Sequence, residues 1–178
     1  MKSSITSLLF LLLFSFASKA QTTPSSEEIL KPVYAAATKE NKKVLLIFHA
    51  SWCGWCKKMD ASLADSTIKS FIDKNFVITH LSVYESPDKK GLENPGALAM
   101  LTKLGGADKG LPYWFMMDAK SNVLADSQIK PGENTGCPAS EEEVNYFAGL
   151  LQKNTKLNQP ALEKIKARFR QNKQPASH

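Results

Sequence analysis

The stretch at residues 44–58 constrains this chain most, because it joins an apolar run to two cysteines. It reads Val-Leu-Leu-Ile-Phe-His-Ala-Ser-Trp-Cys-Gly-Trp-Cys-Lys-Lys. A run of this composition and length is typical of a strand buried on both faces. Cys53 and Cys56 follow at the start of the predicted next helix, where a C-x-x-C pair can close a small disulfide ring. The helix N-terminus stabilises a thiolate on Cys53, and a thiolate is the form that attacks disulfides. The segment therefore predicts redox chemistry.

The beginning of the chain predicts a signal peptide over residues 1–20. Lys2 is followed by an apolar stretch at residues 5–16, and the small residues Ser18 and Ala20 suit cleavage after Ala20. The apolar stretch is too short for a comfortable membrane span, and an uncleaved anchor is the alternative. We expect an exported protein with no stable membrane insertion after cleavage. It would be periplasmic in a Gram-negative bacterium and secreted otherwise.

Composition limits the remaining classes of protein. Cleavage leaves about 158 of the 178 residues, enough for one domain, and loss of Lys2 and Lys19 lowers the formal charge from +6 to +4. The lysines are scattered, with no basic stripe among aromatics, so we expect no nucleic-acid partner. Export places the three cysteines in an oxidising compartment. An odd number predicts one working pair and one leftover thiol, Cys137.

The hydrophobic pattern predicts a mixed sheet with helices on both faces. Predicted strands cover residues 44–49, 76–83, 113–117 and 123–126. Predicted helices begin near residues 25, 52, 65, 94, 140 and 158. Pro32 predicts a break or kink in the first helix. Leu98, Leu101 and Leu104 are predicted to share a buried face, and residues 128–138 are predicted to form a loop.

Three features now stand in order: Trp-Cys-Gly-Trp-Cys-Lys at residues 52–57 after a buried strand, Leu-Pro at 111–112 opening a later strand, and a hairpin followed by a helix. With them the sequence resembles the thioredoxin superfamily, and within it the exported thioredoxin-like proteins. The resemblance implies an α/β fold of three layers, in which a mixed central sheet is flanked by helices.

The resemblance also implies how the chain is divided. A thioredoxin-like domain would cover residues 43–153, with a helical insertion at 85–110 before the strand that follows Pro112. An N-terminal helical segment at 21–42 would precede it. An extra C-terminal helix and a frayed tail would occupy 154–178.

By the same resemblance, Pro112 is a cis-proline packed beside the cysteines, and Leu111 offers backbone groups to an extended substrate. Cys53 would attack a protein disulfide and Cys56, one helical turn further and more buried, would resolve the mixed disulfide. Independently of the resemblance, the positive charge of Lys57 next to Cys56 is expected to lower the thiol pKa a little, and the alternative is that Lys57 lies on a solvated face. The implied substrate-binding residues are Trp52, Gly54, Trp55, Leu111 and Pro112. The implied reactants are protein thiols and disulfides, with a membrane redox partner and no cofactor beyond the disulfide itself.

One position departs from the family pattern, and it keeps an alternative open. Thioredoxins carry a buried carboxylate on the central strand for the proton of the second cysteine, and the matching residue here is Ile47. This departure favours a non-catalytic binding module, in which the cysteines bind copper(I) or support a surface that recruits a partner. A zinc site would need two further ligands. The candidates for these are His49, His80, Cys137 and His178.

Overall fold

The computed structural model describes residues 23–173. The predicted signal peptide, residues 1–20, and His178 lie outside this range. Within residues 23–173 no helix is both long and apolar enough to cross a bilayer.

A four-stranded mixed sheet forms the centre of the molecule. The strands are β1 Lys43–His49, β2 Phe76–Ser82, β3 Tyr113–Met117 and β4 Val123–Asp126. Their order in the sheet is β2-β1-β3-β4. β1 pairs parallel with β2 and antiparallel with β3, and β4 pairs antiparallel with β3. This arrangement confirms the predicted α/β class.

Helices cover the two faces of the sheet. They are α1 Ser26–Glu40, α2 Gly54–Leu63, α3 Lys69–Asn75, α4 Ala97–Lys103, α5 Glu141–Asn154 and α6 Gln159–Arg170. Successive side chains of β1 point to opposite faces: Leu45 and Ile47 pack in a core with residues of α2, α3, α5 and α6, whereas Leu46 and Phe48 pack in a core with residues of α1 and α4. The five residues Val44 to Phe48 are all at most 1 % exposed, which explains why that segment is apolar throughout.

The predicted break at Pro32 is wrong, since α1 is one helix with Pro32 inside it. Pro32 is exposed, so the carbonyl that loses its intrahelical partner faces the solvent side. A capping box between Ser25 and Glu28 holds the start of the helix, and Leu30 and Ala37 are buried on its other face. These contacts keep the helix continuous despite the proline.

Two predicted helix starts lie too early in the sequence. α3 begins at Lys69, and the Asp65 side chain accepts a hydrogen bond from the Thr67 N–H in the preceding turn. α4 begins at Ala97, after a 3₁₀ turn at Pro87–Leu92. The Asn94 side chain does not cap α4, because its Oδ1 accepts from the Ser82 N–H at 2.7 Å.

The later start of α4 also changes which of its side chains are buried. Leu101 is 1 % exposed, as expected for the predicted buried face, and Leu104 is partly buried. The prediction is wrong for Leu98, which is 41 % exposed, while Ala97 is fully buried.

The C-terminal third adds two features to the expected pattern. The predicted loop at 128–138 contains a two-stranded hairpin, β5 Gln128–Lys130 and β6 Glu133–Asn134. α6 packs into the main core rather than beside it, since the ring of its Phe169 lies 5.0 Å from that of Phe147 in α5.

Candidate active site

The two cysteines of the C-x-x-C sequence form a disulfide at the start of α2. The Cys53 and Cys56 sulfurs are bonded at 2.02 Å, and the Cα atoms are 5.3 Å apart. Cys53 is the N-cap residue of α2, and its Sγ accepts a hydrogen bond from the Cys56 N–H at 3.1 Å. The turn from β1 into α2 is closed by the Cys53 N–H, which donates to the Ala50 carbonyl at 3.0 Å. The fold therefore places Cys53 where the backbone N–H groups of a helix N-terminus point.

The electrostatic setting of Cys53 favours a thiolate after reduction. The first turn of α2 contains no acidic residue, so no carboxylate there opposes the positive end of the helix dipole. Both cysteines are almost fully buried in the disulfide form, Cys53 at 3 % and Cys56 at 2 % exposure, so the expected difference in burial between them is not seen. Lys57 is exposed on the same helix.

Two tryptophans present apolar surface beside the disulfide. Trp52 is 58 % exposed and Trp55 is 46 % exposed, with the exposed Gly54 nearby in the first turn. Trp52 is held by its Nε1–H, which donates to the Tyr84 carbonyl at 2.8 Å. The Lys58 ammonium lies 4.4 Å from the centre of the Trp55 ring. These contacts orient both rings while leaving much of their surface open.

The segment before β3 lies against the cysteines. The Leu111–Pro112 peptide bond is cis, as the resemblance implies. Leu111 packs on the small cluster formed by Ala50, Cys53 and Cys56. A groove of about 260 Å³ beside it is lined by Trp55, Leu111, Gly136 and others. Of the predicted site residues, the cysteines, Trp55 and Leu111 are therefore brought to one surface.

Cys137 is buried and has no disulfide partner among the residues that the structure describes. It is 4 % exposed, and its Sγ accepts a hydrogen bond from the Asn172 side-chain amide at 3.2 Å. Burial raises the pKa of its thiol to about 12. This thiol is neutral at physiological pH.

His49 and His80, which the sequence offered as candidate metal ligands, lie next to each other. Their ring centres are 5.0 Å apart, and their Nε2 atoms are hydrogen bonded to Ser82 Oγ and Asp60 Oδ1, respectively. Burial and the neighbouring His80 lower the pKa of His49. Among residues 23–173 no group of three or more His, Cys, Asp or Glu side chains is placed to hold a metal ion.

The sequence did not single out one buried carboxylate near the disulfide. The place of the family's carboxylate on the central strand is occupied by the apolar side chain of Ile47, which is fully buried. Glu85, after the end of β2, is 4 % exposed and hydrogen bonds to Ser51, two residues before Cys53. Because Glu85 and Ser51 are 34 residues apart, no local pattern signals their contact.

Comparison with known proteins finds a matching family model and several solved structures that are similar to this chain. The family model described as thioredoxin-like matches residues 30–119. A disulphide isomerase from Xylella fastidiosa Temecula1 has 18 % identity and a TM-score of 0.48, with 92 % of this chain and 99 % of that chain covered. The C-terminal domain of DsbD from Neisseria meningitidis, in the oxidised form, has 20 % identity and a TM-score of 0.45, with 74 % and 98 % covered.

Proposed function

The chain belongs to the thioredoxin-like family, and from this premise we propose that it is an exported thiol-disulfide oxidoreductase acting on protein substrates. The observation that carries the proposal is the position of Cys53, which caps α2 and is bonded to Cys56. A disulfide at a helix N-terminus is poised for exchange, because reduction yields a thiolate that the helix stabilises.

The proposed reaction is a two-step exchange. In one direction the Cys53 thiolate attacks a substrate disulfide, forms a Cys53–substrate bond and releases one substrate thiolate. The Cys56 thiolate then attacks Cys53 Sγ, closes the Cys53–Cys56 disulfide and releases the second substrate thiolate. Two electrons pass to the substrate, whose thiolates take protons from solvent. The reverse sequence oxidises a substrate dithiol and leaves Cys53 and Cys56 reduced.

The surface around the disulfide supports binding of an extended or unfolded polypeptide. The exposed faces of Trp52 and Trp55 supply apolar area next to the sulfur atoms. Leu111 packs against the cysteines and lines the groove beside them, and the surface at Gly54 is open, since no atom lies within 4 Å of a Cβ added there. Pro112 is buried, so the proposed role of Pro112 is to hold Leu111 in place through the cis peptide bond. Lys57, exposed one residue after Cys56, adds positive charge to the same helix.

Export and the redox partner extend the proposal. The apolar leader with Ser18 and Ala20 supports cleavage after Ala20 and a periplasmic or secreted location. Outside the cytosol, a membrane redox partner would supply or remove the electrons, with no cofactor besides the Cys53–Cys56 disulfide. Mass spectrometry of the secreted or periplasmic protein tests this directly, since the expected mature chain begins at Gln21.

Single cysteine variants test the activity. In an assay of insulin disulfide reduction driven by dithiothreitol, Cys53→Ser is expected to lose all activity above background, because no attacking thiolate remains. Cys56→Ser, reduced and then mixed with insulin after the dithiothreitol has been removed, is expected to accumulate a mixed disulfide that a non-reducing gel separates. Cys137→Ala is the matched control and is expected to retain wild-type turnover.

The reduction potential of the Cys53–Cys56 pair then gives the direction of electron flow. A value of about −270 mV would indicate a reductant, and a value of about −120 mV would indicate an oxidant. If the wild-type pair does not exchange with glutathione at all, or stoichiometric copper(I) blocks it, the enzyme proposal fails and the binding module takes its place.

A further inference from the structure

A buried carboxylate is bonded to the turn that carries the disulfide. One carboxylate oxygen of Glu85 accepts from the Ser51 N–H at 2.6 Å, and the other accepts from the Ser51 hydroxyl at 2.7 Å. Ser51 precedes Trp52 and Cys53 in the turn between β1 and α2. Glu85 is itself only 4 % exposed. The side chain is therefore fixed on both oxygens and held against the active-site turn.

The charge of this carboxylate is not balanced by a cation. Among the ion pairs within residues 23–173 none includes Glu85, although Glu93 in the same segment pairs with Lys90 at 2.7 Å. The backbone N–H of Glu85 donates to Glu93 Oε1, so the two acids lie on one short segment. Buried charges are screened less by salt and solvent than exposed ones.

We propose that Glu85, from the segment after β2, sets the acidity of the Cys53 thiol. The inference rests on the proposed function and deepens it. Glu85 is a positioning residue, because it contacts Ser51 and not the sulfur atoms. It fixes the turn that presents Cys53, and its negative charge opposes the thiolate that the α2 N-terminus favours.

The distance is short enough for the charge to matter. Two residues span at most about 7 Å, so the bond to Ser51 holds the carboxylate within roughly 10 Å of Cys53. At that distance and an effective dielectric constant of about 20, one unit charge changes the acidity of a thiol by about one pH unit.

Glu85→Gln tests the inference, because glutamine keeps the size of Glu85 but removes its charge. Its amide oxygen can accept from the Ser51 N–H, and its NH2 group can donate to the Ser51 hydroxyl, which reverses that second bond. The pH dependence of Cys53 alkylation by iodoacetamide is followed in the reduced protein by mass spectrometry of the Cys53 peptide. The alkylation midpoint is expected to fall by about one pH unit. Equilibration with glutathione at pH 7 is expected to shift about threefold or more toward the dithiol, since a stabilised thiolate stabilises the reduced form.

Two further variants separate charge from structure. Glu93→Gln removes a charge from the same segment, but one already paired with Lys90, and its midpoint is expected to stay within about 0.3 pH units of wild type. Ser51→Ala keeps the Glu85 charge and the backbone N–H donor but removes the hydroxyl donor, so its midpoint is expected to stay within about 0.5 pH units of wild type. If Glu85→Gln does not fold, as judged by circular dichroism, Glu85→Ala, which also removes the charge, takes its place with the same expected fall.

The outcomes distinguish this inference from the proposed function. A wild-type protein that exchanges with glutathione, together with a Glu85→Gln midpoint equal to wild type, would overturn the role of Glu85 alone. A lower unfolding temperature of Glu85→Gln with an unchanged midpoint would have the same meaning, since it shows a purely structural role. A midpoint that falls in Ser51→Ala as far as in Glu85→Gln contradicts the inference as well, since it assigns the effect to the hydroxyl contact and not to the charge. Failure of the wild-type pair to exchange at all would instead refute the function.

Discussion

At the scale of single residues, the fold gives its thiols opposite environments. Cys53 stands at a helix N-terminus, where backbone N–H groups stabilise negative charge. Cys137 lies in the apolar core, and its sulfur accepts one hydrogen bond from the Asn172 amide. Burial outweighs the positive charges of Lys58 and Arg168, which act in the opposite direction, and the pKa of Cys137 rises to about 12. The same thiol group is therefore expected to be reactive at Cys53 and unreactive at Cys137, because the surroundings of the two sulfur atoms differ.

This contrast predicts selective alkylation of the reduced, folded protein at pH 8. Cys53 is expected to react with iodoacetamide, whereas Cys137 stays unmodified, because at a pKa of about 12 only about one thiol in ten thousand is ionised. Peptide mass spectrometry locates the modification, and the same reaction in urea, where Cys137 should react, is the control. Equal rates at Cys53 and Cys137 in the folded state would contradict the assigned burial.

The site illustrates how far sequence reasoning reaches at this scale. The C-x-x-C spacing and its flanking tryptophans are local, so the disulfide and the exposed rings follow from adjacent residues. Glu85 reaches the site only through the folded chain, and Gly136 enters the groove through the turn after β6. Neither leaves a local pattern, because tertiary packing and not spacing brings it to the cysteines.

At the scale of helices and strands, the sequence predicts a helix start well where both side chains of a capping box are present, and less reliably where a single capping residue is present. The start of α5 is correctly predicted because the Ser140 and Glu143 side chains each accept a bond from the other's backbone. The Asn94-Pro95 pair looks like a similar start, but Asn94 bonds to β2 and to the carbonyl of Pro24. A side chain with several possible partners takes the one that tertiary structure offers, and sequence does not rank them.

α6 is an integral part of the core, and this predicts a large cost for removing its central ring. Phe169 is fully buried against Phe147, so Phe169→Ala is expected to lower the free energy of unfolding by about 3–5 kcal/mol. Leu98→Ala is the control on the exposed side of α4 and is expected to cost less than about 1 kcal/mol. Urea denaturation measures both. Similar costs for the two variants would show that α6 is an appendage.

At the scale of the whole molecule, the partly buried pair of His49 and His80 connects stability to pH. Burial, and then the proximity of His80, lower the pKa of His49, while Asp60 and Glu85 act in the opposite direction. The folded protein therefore binds fewer protons at His49 than the unfolded chain does below the ordinary histidine pKa of about 6.5. Stability from this site is complete above that pH and is lost as the pH falls toward the lowered folded value.

The expected result is a lower free energy of unfolding at pH 5.5 than at pH 7.5. His49→Gln should show a smaller difference between the two pH values, because glutamine can bond Ser82 without titrating. Urea denaturation of both proteins at both pH values measures the change. A wild-type protein that becomes more stable on acidification would assign the opposite sign to the site.

The three-residue separation of Cys53 and Cys56 has a consequence for the energetics of the complete redox cycle. A ring this small removes little conformational entropy from the unfolded chain, so ring closure by itself changes the free energy of unfolding only a little. In a thermodynamic cycle, the difference in free energy of unfolding between the dithiol and disulfide forms is proportional to the difference in reduction potential between the folded and unfolded chains. Any difference between their unfolding curves then reports how the folded surroundings of the sulfur atoms favour one form. If the dithiol form unfolds at the higher temperature, the folded protein is a stronger oxidant than its own unfolded peptide.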